Sequence, residues 1–315
     1  MNAGSPTFFA PFVLNGVQVT VKSRAKLNAT GERSALTEAL FTIAAVPAAP
    51  GNLAISEIHY NPSGASDGTE FAELVNISAS RLDLTGVSFT GAMIFTFGNV
   101  TLEPGARICV VENTAAFSAG YVPTPTVAGQ WSGALNKSGD TIILRDKSAV
   151  EIERVTYSDQ PPWPADADGG GYSLVRLNPF TNADIALNWR ASTALNGNPG
   201  ASDATAFTCT ALADADGDGL PALLEYLLAT SDTAPTPAAV IASRTSDGRA
   251  TLIFPRRLSA DDVGYFVESS ANLATWTNAA TRTTQVRNGD GSVMETRNAD
   301  VAAARQFMRV RVVKP

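Results

Sequence analysis

Apolar and polar residues alternate with a period of two along most of this chain, in short runs separated by Gly, Pro, Asn and Asp. That period is the signature of strands with one buried face. Residues 17–25 and 34–43 alternate in this way on either side of a turn at Gly31 and predict a hairpin. Runs at 53–58, 71–76, 82–89, 106–111, 141–144 and 150–157 predict a meander with turn signals at short spacing. Four more runs follow at 250–254, 264–269, 284–287 and 307–313. Only residues 222–228 break the pattern, with apolar residues spread as on a short helix. The expected fold is all-β: tandem antiparallel β-sandwiches with one short helix in a connector. Alternation places Ile55, Ile58, Phe71, Leu74, Leu84, Val87, Val110 and Leu144 on the inward faces.

The punctuation divides the chain into four units: a partial sandwich over 1–48, a sandwich over 52–203, a connector over 204–236 and a terminal β-module over 237–315. Pro47-Ala48-Ala49-Pro50-Gly51 reads as a stiff linker between the first two.

Composition agrees with many short strands. Charged residues are 17%, while 25 Gly and 18 Pro supply turns, and a hydrophobic content of 44% is enough to fill real cores. The net charge is −7, with Lys and Arg scattered. This speaks against nucleic acid and against an anionic membrane surface, because neither counterion release nor surface attraction has a basic patch to act on. No apolar run approaches the length of a membrane span, so no membrane insertion is expected. Residues 1–9 carry neither a basic n-region nor a long apolar h-region and do not read as a signal peptide. We expect the C-terminal part of a larger exported protein, with further domains upstream. Of the two cysteines, Cys109 lies in the apolar run Ile108-Cys109-Val110-Val111 and reads as a buried free thiol; a disulfide with Cys209 is the alternative.

Ordered motifs across 52–203 resemble the lamin-tail domain, an immunoglobulin-like β-sandwich. They are Ile55-Ser56-Glu57-Ile58-His59-Tyr60-Asn61-Pro62, Glu70-Phe71-Ala72-Glu73-Leu74-Val75-Asn76, Leu82-Asp83-Leu84-Thr85-Gly86, Leu102-Glu103-Pro104-Gly105 and Ser138-Gly139-Asp140. Pro162-Trp163-Pro164, Gly171-Tyr172-Ser173-Leu174, Asn188-Trp189-Arg190 and Pro199-Gly200 complete the set. The resemblance implies a bacterial binding or structural module with no family-wide catalytic residues, and makes Trp163 a packing residue. Val21-Lys22-Ser23-Arg24 and Ser34-Ala35-Leu36-Thr37-Glu38-Ala39 are similar to the last strands of the module that ends chitobiase-type hexosaminidases. Tyr265-Phe266-Val267-Glu268-Ser269-Ser270 followed by Leu273-Ala274-Thr275-Trp276 resembles a C-terminal β-module of large exported bacterial proteins.

One motif carries cation chemistry. In Asp214-Ala215-Asp216-Gly217-Asp218-Gly219-Leu220-Pro221-Ala222-Leu223-Leu224-Glu225, carboxylates stand at positions 1, 3 and 5, glycine at 6 and glutamate at 12. This is the spacing of an EF-hand calcium loop. A hard cation takes six or seven oxygens. Asp214, Asp216 and Asp218 would wrap it from one side, the Leu220 carbonyl would add one oxygen, and Glu225 would close the shell. Gly219 permits the sharp turn, and Pro221 suits the first turn of the helix that follows. No helix is predicted before the loop, so it is closer to dockerin or thrombospondin-type repeats, and its Ca²⁺ would be structural. The bland alternative is an acidic, solvated turn.

Other candidates reduce to structural readings. His59 is the only histidine, which rules out His-rich metal sites, and it lies within the sandwich motif as a strand-end residue hydrogen-bonded locally. Glu57, Glu70 and Glu73 could be the paired carboxylates of a glycosidase, with Glu57 and Glu73 on adjacent strands. Hydrogen bonding at the sandwich end is the simpler role. Asp166, Asp168 and Gly169-Gly170-Gly171 form an acidic loop whose spacing fits no calcium template and no phosphate loop. The four tryptophans fall in separate segments and predict no row of rings for a sugar.

The function expected is therefore a non-catalytic, extracellular or cell-surface array, structural or adhesive, with one Ca²⁺ and a protein or glycan partner. The rival is a carbohydrate-binding accessory of a polysaccharide-degrading or spore-coat-kinase-like protein. An enzyme in its own right lacks a converging acid–base or nucleophile set.

Overall fold

Gln18–Ser23 (β1) and Thr37–Thr42 (β2) pair antiparallel, with Thr20 opposite Leu40. The structure, a computed structural model, describes residues 18–27, 29–42, 45–63, 68–236 and 239–314. Val17 and Ile43, at the ends of the expected hairpin, lie outside them.

The next strands in chain order are Val46–Pro47 (β3), Leu53–His59 (β4), Phe71–Asn76 (β5), Leu82–Asp83 (β6), Ser88–Gly91 (β7), Met93–Thr96 (β8), Thr101–Leu102 (β9) and Arg107–Val111 (β10). Helix Thr114–Gly120 (α1) follows, then Val127–Gln130 (β11), Ser132–Gly133 (β12), Gly139–Arg145 (β13), Glu151–Ser158 (β14), Leu174–Arg176 (β15) and Trp189–Ala191 (β16). A six-stranded sheet of order β11-β10-β5-β4-β15-β16 accompanies a five-stranded sheet of order β12-β8-β7-β13-β14. A three-stranded ladder, β3-β6-β9, stands beside them. One continuous core joins the two large sheets, with Ile55, Leu74 and Val110 from the first and Phe89, Ile142 and Val155 from the second.

All eight residues of the expected inward set are buried, but not for one reason. Ile55 and Ile58 are three apart, and strict alternation would send them to opposite faces. A bulge between Ile55 and Glu57 resets the register, so both enter the main core. Phe71 faces the other way, into a second cluster with Cys109, Val111 and Phe117. The six-stranded sheet is therefore buried on both faces. Its outer face is covered by α1 and by residues 192–204, which cross it as a strap: the Tyr121 hydroxyl donates to the Asn196 carbonyl at 2.6 Å.

The terminal unit has helix Ala222–Leu228 (α2) and strands Ile241–Arg244 (β17), Ala250–Arg257 (β18), Gly264–Ser270 (β19), Ala280–Arg287 (β20), Ser292–Ala299 (β21) and Phe307–Val313 (β22). They form a sheet of order β17-β18-β21-β20 and a two-stranded sheet β19-β22. Leu228 of α2 packs with Leu252, Phe254 and Val267 between them.

The architecture is all-β, with two departures from the expected plan. There is a second α-helix, α1. Asn113 caps it, its side chain accepting from the N–H groups of Ala115 and Ala116. Not every pair is antiparallel either: β11 joins β10, and β6 joins β3, in parallel. Both parallel partners are short strands that return to a sheet after a connection, where no tight hairpin dictates direction.

Candidate functional site

The outer face of the six-stranded sheet gathers charge. Glu57 and Glu73 are direct cross-strand partners, with Cys109 on the far side of Glu73 and Val175 on the far side of Glu57. Both carboxylates are buried, at 2% and 0% exposure. Glu73 accepts from Arg107 at 2.5 Å and from the Ser56 hydroxyl at 2.6 Å through Oε1, and from the Gly200 N–H at 2.5 Å through Oε2. Glu57 Oε1 accepts from the Ser173 hydroxyl and, at 2.9 Å, from the Asn198 N–H, which leaves Oε2 as the place for a proton. Burial, together with the neighbouring Glu73 charge, pushes the Glu57 carboxyl up to about 8, so it is neutral near pH 7. The pair holds down the strap by its backbone. The cavity beside it is about 70 Å³. With both carboxylates held by donors from the sheet and the strap, the geometry assigns them to clamping. They sit in mid-sheet rather than at the sandwich end.

The strap continues into a second buried cluster. Arg190 on β16 bonds Asp203 on the strap, and forks onto Asp261 of the terminal unit at 2.8 and 2.6 Å. Asp203 also accepts from the Thr193 N–H at 2.9 Å. Arg287 of β20 reaches Asp166 at 2.7 Å, with its guanidinium 3.4 Å from the centre of the Tyr172 ring. Asp168 accepts from the Asn61 side chain at 2.6 Å. The acidic loop at 161–171 is thus engaged with protein partners. Trp163 packs on the main core with its ring 6.3 Å from that of Trp189. His59 is buried edge-on to Phe71, centroids 5.6 Å apart, and Glu70 is buried nearby in sequence. Cys109 is a buried free thiol and Cys209 an exposed one.

The acidic loop is built from side-chain-to-backbone turns. Asp214 accepts from the N–H groups of Gly217 and Gly219, Asp216 from Asp218, and Asp218 from Leu220, at 2.8 to 3.1 Å. Gly217 and Gly219 adopt the left-handed conformation (φ 75° and 92°) that the sharp turns need. Carboxylate oxygens of Asp214, Asp216 and Asp218 lie within 4.8 Å of one another. Glu225, on α2, is outside that trio and buried at 1% exposure; its Oε1 accepts from Thr230 at 3.1 Å. Burial raises the Glu225 carboxyl, and the nearby charges of Asp216, Asp218 and Asp232 add to it. Two buried oxygens here, Asp216 Oδ2 and Glu225 Oε2, have no hydrogen-bond partner among the described residues. Such atoms are costly unless something else satisfies them, and hard carboxylate donors in this set fit Ca²⁺. Pro221 precedes the first helical residue, and residues 192–213, which lead into the loop, contain no helix. Leu220, whose carbonyl is the expected fifth donor, donates its N–H to Asp218 at 2.9 Å.

Sequence reasoning singled out the loop and the glutamates, and named Arg190 within the Asn188-Trp189-Arg190 motif, but not Arg107, Asp203 or Asp261. Only a three-dimensional neighbourhood unites them, since Arg190 and Asp261 are separated by the whole connector.

Residues 46–159 match the family model of the lamin tail domain. That stretch ends before β15 and β16, which extend the six-stranded sheet, and before the strap. The immunoglobulin-like lamin tail fold is that of a structural, typically non-catalytic module. No curated protein matches the chain. No helix among the described residues is long and apolar enough to cross a membrane.

Proposed function

We propose that this chain is an extracellular, non-catalytic structural array in which a Ca²⁺-bound loop stiffens the join between the lamin-tail sandwich and the terminal β-module. The observation that carries this reading is the pair of unpartnered buried oxygens, Asp216 Oδ2 and Glu225 Oε2, beside three clustered aspartates. Asp214, Asp216, Asp218 and Glu225 would hold the ion, with the Leu220 carbonyl as a further donor. The cation would cancel the mutual repulsion of the carboxylates and satisfy the two orphan oxygens. Mg²⁺ would compete poorly, because it demands a smaller octahedral cage.

The location of the loop supports a mechanical role. The Tyr226 hydroxyl, beside Glu225, lies 2.9 Å from both the Thr205 carbonyl and Asp262, with one proton to donate to either. Asp218 accepts from the Thr236 N–H at 3.1 Å, tying the loop to the chain entering the terminal sheet. Ordering the loop would therefore order both of its exits. The millimolar free calcium found outside cells suffices for the weak sites typical of extracellular modules, which favours an exported, cell-surface setting.

Small-angle scattering of the whole chain, with calcium and with chelator, tests the proposal. It predicts a narrower distribution of shapes with calcium; identical profiles refute a stiffening role. Turnover of glycans, esters or peptides that vanishes in Glu57→Gln refutes the non-catalytic part.

A further inference from the structure

At one end of the terminal module, a cleft of about 530 Å³ opens between β17, the start of β18, the 273–276 loop and the start of β22. We propose that this cleft docks an extended acidic peptide segment, which adds as a strand to the module's free edge and inserts an apolar side chain. The inference is independent of the calcium site, since none of the proposed ligands lines the cleft.

Three observations identify this occupant. The first is the edge. β17 is the outermost strand of its sheet, all four of its residues are exposed, and β22 is paired only to β19. Alternate N–H and C=O groups of β17 therefore face away from β18, and among the described residues no other strand pairs with them.

The second is the lining. Leu252, Leu273, Trp276, Phe307 and Met308 give the cleft apolar walls, and Leu273 and Phe307 are 57% and 37% exposed. Apart from Ser243, the polar side chains there are already engaged within the module. Arg244 donates to the carbonyls of Gly248 and Ala303, Thr251 to Asn298, and the Trp276 indole to the Leu273 carbonyl. Gln306 accepts from the Ala250 N–H and donates to the Val301 carbonyl. A glycan needs several free polar groups to read its hydroxyls, and the cleft offers few. An apolar side chain needs only the walls.

The third is charge. Residues 237–315 contain 11 Arg and Lys against 7 Asp and Glu, a net +4 within a chain whose net charge is −7. Arg244 lines the cleft, Arg305 adjoins its Gln306 in sequence, and Arg309 stacks on its Trp276. Arg309 lies 4.1 Å from the centre of the Trp276 ring, and Arg309 and Arg311 share the single carboxylate of Glu268. Arg244 bonds only backbone carbonyls, and Arg305 is exposed. A strand with acidic residues on its outward positions complements this rim.

The test uses the full chain and a synthetic peptide of about ten residues that alternates aspartate with leucine and phenylalanine. Comparison probes are the same peptide with lysine for aspartate, the acidic peptide methylated on alternate backbone nitrogens, and polygalacturonate. Fluorescence anisotropy should show saturable, salt-sensitive binding of the acidic peptide. Backbone methylation should weaken it by about tenfold or more, as should Trp276→Ala and Arg309→Glu, each checked by circular dichroism for an intact fold. The methylated probe leaves the protein untouched, so it tests strand addition even if a variant unfolds. No binding of the acidic peptide, equal binding of the lysine peptide, insensitivity to methylation, or polygalacturonate binding that is lost in Trp276→Ala each overturns the proposal. Concentration-dependent dimerisation abolished by Trp276→Ala overturns it in favour of a second copy of this chain.

Discussion

Arg190 and Asp261, one on the last strand of the sandwich sheet and the other in the terminal module, form a two-pronged ion pair with contacts of 2.6 and 2.8 Å. Both side chains are nearly buried, and Arg190 also neutralises Asp203 on the strap. Burial pushes the Asp261 carboxyl up even against the pull of Arg190, so the arginine holds a charge that would otherwise be unfavourable there.

Arg190→Ala should therefore destabilise the protein by about 3–5 kcal/mol, because it strands two buried carboxylates rather than removing one contact. Chemical denaturation checks this, and limited proteolysis should find new cleavage near residues 204–213. Adding Asp203→Asn and Asp261→Asn to Arg190→Met should recover much of the loss. Equal stability of Arg190→Ala and the wild type would show that the modules do not rely on this pair.

Glu57 sets a pH dependence. Its carboxyl titrates near 4.5 when unfolded and is pushed up to about 8 in the fold. The folded state therefore holds a proton that the unfolded chain releases between these values. Its contribution is fully present below about 4.5 and is lost as the pH rises towards 8, at about 1.4 kcal/mol per pH unit for one proton. Denaturation of wild type and Glu57→Gln across this range should show that the slope of their difference has this sign. Parallel curves would mean that Glu57 is ionised in the fold.

Gly197 tests the strap. Its φ is +78°, and a Cβ there would strike Glu57 Oε1 and crowd the Ser173 hydroxyl. Gly197→Ala should cost about 1–3 kcal/mol through strain and overpacking. A thermal melt within error of wild type would show that the strap is not clamped as described.

Much of the fold was legible because one face of each strand is buried and period two is easy to read. The inward set from Ile55 to Leu144 is buried as expected. Phe71 belongs to a second cluster because the outer sheet face is itself covered, and no pattern within β5 reveals what lies on top of it. The bulge that brings Ile55 and Ile58 together is likewise a register event invisible to alternation. Helix α1 was missed because it is short and buries only Phe117 against the sheet, although Asn113 is a favourable cap. The tight turns of residues 214–220 were legible because the spacing of Asp and Gly that makes them is local. The Arg190 cluster was not, because its members come from three distant segments.

The central claim is that Asp214, Asp216, Asp218 and Glu225 hold a structural Ca²⁺. Isothermal calorimetry of calcium into the chelator-stripped chain tests it most directly, alongside Asp216→Ala and Glu225→Gln and with magnesium as the competing ion. The account predicts one site in the wild type, with affinity in the range of about 10⁻⁴–10⁻³ M seen for extracellular modules. Binding should weaken strongly in both variants, and calcium should raise the wild-type melting temperature by mass action. A wild-type chain that shows no calcium-dependent heat and melts identically in chelator would reduce the motif to an acidic turn and contradict the account.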